Sequence, residues 1–372
     1  TRFDSETGQA GTLLGDRRAL TILQQVRSAI TDPVAGANPQ LNFIGALGIT
    51  TGNDGKLVIN DAKLNDVLSG KKAGVTLADV RTLFALTGST SNAGVQFVTG
   101  STKTRASTSP YTVQLTQAAE KGTLNATSDA AASTVIDGTN NTLVVGVDGA
   151  TSGTITLTAG TYSRQALASL VQAAINSDTA LLGRQVSVAL VGNRLAITSS
   201  RYGAASQVTL QSGSALAALG YSAGAAAQGR DVVGSFVVDG VTETARGSGQ
   251  FLLGDTANAN TADLQVRVTL TPAQIGAGLS ADLSVTRGAA SKLDSVLTSM
   301  FDPVNGRMKT INDDFQESLG LLDEQKLRQD EVMASRREQL LKQFAAMERV
   351  LSQLQSTSNF LAAQMTNNQQ RR

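Results

Sequence analysis

Few residues in this chain are equipped for chemistry. Gly247-x-Gly249 has the spacing with which a phosphate loop can begin. No Gly-x-x-x-x-Gly-Lys-Ser/Thr pattern or full dinucleotide fingerprint surrounds it, so a β-turn is the simpler reading. Asp313-Asp314 with Glu317 one helical turn on could hold a cation in principle, but a solvated helix face with acids near its start accounts for the same residues. Tyr162 and Tyr202 have no neighbours that suggest a sugar-stacking platform, and β propensity and turn context already explain them. There is no His and no Cys, which removes imidazole acid–base catalysis, thiol nucleophiles, and the common zinc, haem and iron–sulfur ligand sets together. The expectation is a protein that is not an enzyme, with no catalytic, cofactor-binding or metal-ligating residue and no cofactor.

The strongest pattern is one of assembly. Leu340, Phe344, Met347, Leu351, Leu354, Ser358, Leu361 and Met365 follow one another in alternating steps of four and three residues, a heptad seam near the C-terminus. A stripe this narrow is buried by another helix rather than by a globular core. Leu340, Phe344, Met347, Leu351, Leu354, Leu361 and Met365 are therefore the candidate coiled-coil and assembly interface. The flanking Gln343, Glu348, Arg349, Gln353, Gln355 and Asn359 leave the other faces wet. A terminal helix packed on its own domain is the alternative for the same stripe. Between Gln329 and Gln339 the seam is interrupted, with Arg336 and Arg337 where apolar residues would fall, which reads as a change of partner or a hinge.

Stepping outward, the first ninety residues read as mostly helical. Asp16 is placed to cap a helix whose Leu20, Leu23, Val26 and Ile30 define one buried face, with Pro33 beyond its end. Asn53-Asp54-Gly55 forms a turn into Lys56-Leu57-Val58-Ile59, and Asn60 or Asp61 caps a short helix through Leu64, Val67 and Leu68. A further helix carries Leu77, Val80, Leu83 and Phe84. From about residue 89 the composition turns to Thr, Ser, Ala, Gly and Val. Strands are expected over 111–115, 142–147, 154–158, 186–191, 194–198, 207–210, 235–238 and 264–270. Asp137-Gly138, Asp148-Gly149, Gly192-Asn193 and Asp239-Gly240 are turn dipeptides suited to hairpins. Ser163 is placed to cap a helix over 164–176 that covers one face of a sheet, and a second short helix is expected over 215–220. The strands after Val232 read as a smaller unit of their own. Helical pattern resumes after Ser291, breaks at Pro303, Asn305 and Gly306, and continues to the end.

The fold class that follows is α+β and multidomain: a helical stalk or leg built from both chain ends, an inserted β-rich head region and a C-terminal coiled-coil helix. Residues 1–90 and 291–335 form the two parts of the helical domain, 91–290 the head with two subdomains split near 231, and 336–372 the leg helix. Aromatic residues are 4% of the chain and Trp is absent, so the cores must rest on Leu, Val, Ile and Ala. The net charge of +1 offers no field for nucleic acid, and no run of about 18 apolar residues marks a transmembrane helix. The start Thr1-Arg2-Phe3-Asp4 lacks both Met and the shape of a signal peptide, which suggests that an N-terminal part is missing.

Three segments in order resemble the bacterial flagellar filament capping proteins, the FliD or hook-associated protein 2 family. They are Gly11-Thr12-Leu13-Leu14-Gly15-Asp16 with the helix after it, Asp54-Gly55-Lys56-Leu57-Val58-Ile59-Asn60-Asp61 with Lys63-Leu64 and the stretch from Val80 to Phe84, and Arg337 through Leu340, Phe344, Met347-Glu348, Leu351, Leu354 and Leu361. The resemblance implies a homo-oligomeric cap, often a pentamer, at the distal tip of the flagellum outside the cell, exported without a cleaved signal peptide. It implies flagellin and the hook–filament junction proteins as partners, with no nucleic acid and no membrane insertion. It also implies an N-terminal helix as the partner of the seam, and terminal helices forming a leg. The β-rich insert follows the Gly-x-Leu-x-Gly-Asp segment here rather than preceding it, as an additional head domain would. A surface adhesin that binds mucin or other glycans through that insert is the alternative function.

Overall fold

A computed structural model describes residues 17–52 and 56–369, with side chains as far as residue 365. Asp16, the Gly11–Asp16 stretch and the Asn53-Asp54-Gly55 turn lie outside the described residues. The described chain divides into two compact units, one ending at Leu297 and the other beginning at Thr298.

The first unit opens with helix α1 (Arg17–Thr31). Its apolar stripe does not make the expected buried face. Leu20 and Leu23 are 45% and 40% exposed, Val26 and Ile30 are half-buried, and Ala29 near its C-terminal end is the one residue of α1 that is buried. Short 3₁₀ turns at Pro39–Leu41 and Ile44–Leu47 lead to strand β1 (Ile49–Thr51), which pairs antiparallel with β2 (Leu57–Ile59). Asn60 caps α2 (Asp61–Leu68) by accepting from the Lys63 N–H at 3.1 Å. Thr76 and Asp79 form a capping box at the start of α3 (Leu77–Phe84), and the hydrogen bonds from Thr76 hold the Asp79 carboxyl below its ordinary range. The core beneath is Val34, Leu41, Ile44, Leu47, Val67, Val75 and Leu83, closed by Ala289 from the far side of the β-rich region. Helical segments on both sides of the insertion therefore share one core.

After α3 the chain lays down β3 (Leu86–Thr90), β4 (Val95–Thr99) and β5 (Tyr111–Gln117). It then departs into an inserted module. The module runs β6 (Thr123–Asn125), β7 (Ser133–Ile136), β8 (Thr142–Val147), β9 (Ala150–Thr151), β10 (Ile155–Thr156) and β11 (Gly160–Ser163), then α4 (Arg164–Asn176). It ends with β12 (Val186–Val191), β13 (Arg194–Ser199), β14 (Gln207–Ser212) and β15 (Ala225–Gln228). Strand alternation sets its core: on β8, Leu143, Val145 and Val147 are fully buried while the residues between them are not. Ser163 caps α4 as its position predicts, and α4 buries Leu167, Ala168, Val171 and Ile175. Each of the larger three contributes about 1.5–3 kcal/mol of burial. Gln172 and Asn176 on α4 accept from Val188 N–H and Val186 N–H, both at 2.9 Å, so the helix blunts the free edge of β12. Residues 214–220 form a run of turns rather than the expected helix, with the Tyr221 hydroxyl donating into the strands at Leu195 O, 2.8 Å away.

The chain returns through β16 (Val233–Val238), β17 (Val241–Ser248), β18 (Phe251–Gly254) and β19 (Gln265–Val268), then the short α5 (Pro272–Ile275) and β20 (Leu279–Arg287). These strands do not form a unit of their own. They complete an eight-stranded antiparallel sheet in the order β3-β20-β5-β16-β17-β18-β19-β4, because β5 pairs with both β16 and β20 and β4 pairs with β19. The end strands β3 and β4 are consecutive in the chain, and the Phe97 ring of β4 covers Gly88 of β3, where a Cβ would lie 2.5 Å from it. The sheet thus curls into a barrel around fully buried Phe236, Val113, Leu252 and Leu283. The inserted module leaves the barrel sheet after β5 and rejoins it before β16, and it keeps a core separate from that of the barrel.

From β20 the chain enters α6 (Ala289–Phe301). In the second unit, α7 (Arg307–Gln369) is a single helix of 63 residues. The break between them lies where Pro303, Asn305 and Gly306 predict it, with the Asp302 carboxylate accepting from Val304 and Asn305 N–H, both at 2.8 Å. Among the described residues no helix is long and apolar enough to cross a membrane.

Candidate functional site

At 1.5 Å per residue, α7 extends about 95 Å. Leu340, Phe344, Met347, Leu351, Leu354, Leu361 and Met365 all lie on it, at seam spacing, with exposures from 52% for Met347 to 73% for Met365. Beyond Ile311 every residue with a described side chain is exposed. Full burial of a Leu, Phe or Met side chain is worth about 1.5–3 kcal/mol, so covering seven of them offers on the order of 10 kcal/mol or more before ordering costs. The helix continues unbroken through 329–339, so the interruption of the seam there is a change in surface chemistry and not a hinge in the backbone. Glu324 with Arg328 just before it and Glu338 with Lys342 at its far end make i,i+4 ion pairs at 3.6 and 2.8 Å. Each supports the helix by a few tenths of a kcal/mol and weakens in salt.

A second group of exposed apolar side chains lies in the first unit. All three residues of β2, Leu57, Val58 and Ile59, are more than half exposed, and Leu20, Leu23, Phe43, Leu68 and Leu77 add to the total on neighbouring elements. The sequence suggests a buried face on α1 and does not state that β2 is bare. The usable hint at β2 is three consecutive apolar residues next to a turn.

The residues that could have carried chemistry resolve as structure. Gly247 lies within β17, where a Cβ would meet Val232 O at 1.8 Å, and Gly249 takes φ +57 at the bend: close backbone packing, not a phosphate cradle. Asp313 pairs with Lys309 at 2.5 Å on the face of α7. Among the described residues no three acids gather as a metal site. The Tyr162 hydroxyl donates to Thr158 O at 2.9 Å, and the Tyr202 ring carries the Lys121 ammonium 4.9 Å from its centroid.

Residues 1–166 match the family model described as the C-terminus of flagellar hook-associated protein 2. The resemblance read from the sequence is borne out over that span, which includes the first two of its three segments; the terminal-helix segment lies beyond it. Among solved structures, the D1-D2-D3 domains of the flagellar cap protein FliD from Escherichia coli align at 20% identity and a TM-score of 0.36, covering 58% of this chain and 58% of that one. FliD from Bdellovibrio bacteriovorus aligns at 14% and 0.31 over 53% of this chain and 99% of its own. FliD (HAP2) from Pseudomonas aeruginosa PAO1 aligns at 18% and 0.26 over 53% and 83%. The chain thus spans 58% of the length of the Escherichia coli D1-D2-D3 chain. Overlaps of this size bear on neither partners nor activity. No curated protein sequence matches the chain.

Proposed function

We propose that this chain, whose residues 1–166 match the family model for the C-terminus of flagellar hook-associated protein 2, is a structural assembly factor at the distal end of the bacterial flagellar filament. The observation that carries the reading is the seam of α7, a solvent-exposed apolar stripe on a helix of 63 residues. A stripe of that kind is a demand for partner helices. In the proposed assembly it is covered by helices of further copies of the chain and of the filament, while the β-rich head stands over the growing end and helps exported flagellin to fold and insert. Self-association, contact with flagellin and the hook–filament junction proteins, and a place outside the cell at the filament tip belong to this proposal.

Phe344→Asp and Leu351→Asp each place a carboxylate in the seam, at a cost of several kcal/mol wherever an apolar partner covers it. The expected outcome is lost self-association in sedimentation and, in a cell that depends on this gene, flagellin released as monomer instead of built into filament. Circular dichroism of the β-rich region stays unchanged, because its cores are built from other residues. Normal filament growth with both variants overturns the role of the seam.

A further inference from the structure

The chain passes between barrel and inserted module twice, and both crossings occur at one place. Glu120 N–H donates to Arg230 O at 2.8 Å and Arg230 N–H to Glu120 O at 3.2 Å, a single antiparallel bridge between the outgoing and returning strands. The module's loop at 203–206 closes on that bridge. Gly203 N–H donates to Glu120 O at 2.9 Å, Gly229 N–H to Ser206 O at 2.8 Å, and Gly122 N–H to the Ser206 hydroxyl at 2.8 Å. The backbones approach closely: a Cβ on Gly203, at φ +96, would lie 2.3 Å from Asp231 Oδ1 and 2.6 Å from the Gly249 Cα of the barrel, and one on Gly229 would lie 2.3 Å from Glu120 O. One carboxylate oxygen then ties the two bodies together. Asp231 Oδ1 accepts from Ala204 N–H of the module at 3.1 Å and from Gly249 N–H of the barrel at 2.7 Å.

Two modules joined by a pair of strands ordinarily move relative to each other unless a large interface holds them. Here the freedom that a two-strand joint would leave is taken up by main-chain contact and by one side-chain acceptor shared across the boundary. We propose that Asp231 is a latch that fixes the inserted module against the barrel, so that the head turns as one body. The cleft beside the joint has a volume of 520 Å³ and takes Thr198, Tyr202 and Gln228 from the module and Thr271 and Pro272 from the barrel side. With the latch closed, its opening is fixed.

The chain has no cysteine, so two introduced ones are unique. Spin labels on Leu182→Cys in the module and Thr242→Cys in the barrel, both at exposed positions, report their separation by double electron–electron resonance in the full chain. The expected result is one narrow distance distribution in the parent and one about twofold broader or more in Asp231→Ala. Asp231→Asn keeps the Oδ1 acceptor for both N–H groups and is expected to match the parent. Asp231→Ser, too short to reach both donors, is the second variant should the alanine chain not fold, and is expected to broaden likewise. A broad distribution in the parent overturns the proposal, and so does parental width in the alanine or serine chain.

Discussion

A guanidinium holds the barrel to the helix that follows it. Arg287 Nη2 donates to the carbonyls of Ser101, Thr102 and Thr104, and Nη1 donates to Ser291 at the start of α6. Burial depresses its pKa, and the neighbouring Asp294 carboxylate partly offsets this. Only a planar fork with several donors fits this set of acceptors, so Arg287→Lys is expected to lower unfolding free energy by about 2–4 kcal/mol in urea titrations. Tyr111 is a second such residue. Its hydroxyl donates to Arg105 O at 3.1 Å, and burial, helped by the charge of Glu243, pushes its pKa up to about 12. The folded chain keeps the phenol protonated where the unfolded chain has already ionised it, so stability is intact below about pH 10 and is lost as pH rises from there toward about 12. Tyr111→Phe is expected to flatten that loss, read as the urea midpoint across the same pH range. Sequence alone gives neither residue a role, since the acceptors of Arg287 at residues 101–104 lie more than 180 positions away and only the closed barrel brings them together.

Elements were legible wherever a local signal was sufficient. The strands at 142–147 and 186–191 have their expected bounds, and the hairpins at Asp148-Gly149, Gly192-Asn193 and Asp239-Gly240 turn with positive φ at Asp148, Gly149, Gly192, Asp239 and Gly240. Asp137-Gly138 turns without joining paired strands, because β7 pairs with β11 and β8 with β9, β10 and β14. Two of the strands not expected from the sequence have weak local signals. β15 reads Ala-Ala-Ala-Gln and β17 reads Val-Thr-Glu-Thr-Ala-Arg-Gly-Ser, and long-range pairing decides both. The seam on α7 was legible from spacing, while the exposure of Leu20 and Leu23 on α1 was not, since a stripe does not state what covers it. The described side chains of α7 beyond Ile311 are all exposed, so local hydrogen bonds and ion pairs carry much of its stability. Native-state hydrogen exchange of the isolated chain is expected to show amides over 320–365 exchanging about a hundredfold or more faster than those of β8 and β16. Equal protection would show that the helix is covered.

At the scale of the whole molecule, three cores among the described residues are nested. The helical core takes residues from both sides of the barrel, and the barrel takes strands from both sides of the inserted module. The module keeps a core wholly its own, from Leu124 to Tyr221. Because its ends meet at the Glu120–Arg230 bridge, the excised segment 119–231 is expected to fold alone, with cooperative thermal melting by circular dichroism. Within it Asp148, whose side chain is fully buried, accepts from Ser199 Oγ at 2.8 Å and Gln207 N–H at 2.9 Å, and Asp148→Ala is expected to cost about 2–4 kcal/mol in the same melts. Nesting also sets a clock. The innermost core can close while later residues are still being delivered, the barrel must wait for β20, and the helical core must wait for Ala289, with each wait paid in loop-closure entropy until the enclosed part has compacted. The chain is therefore expected to acquire its structure from the inside outward, and the segment nearest its beginning, although available first, is among the last to be fixed.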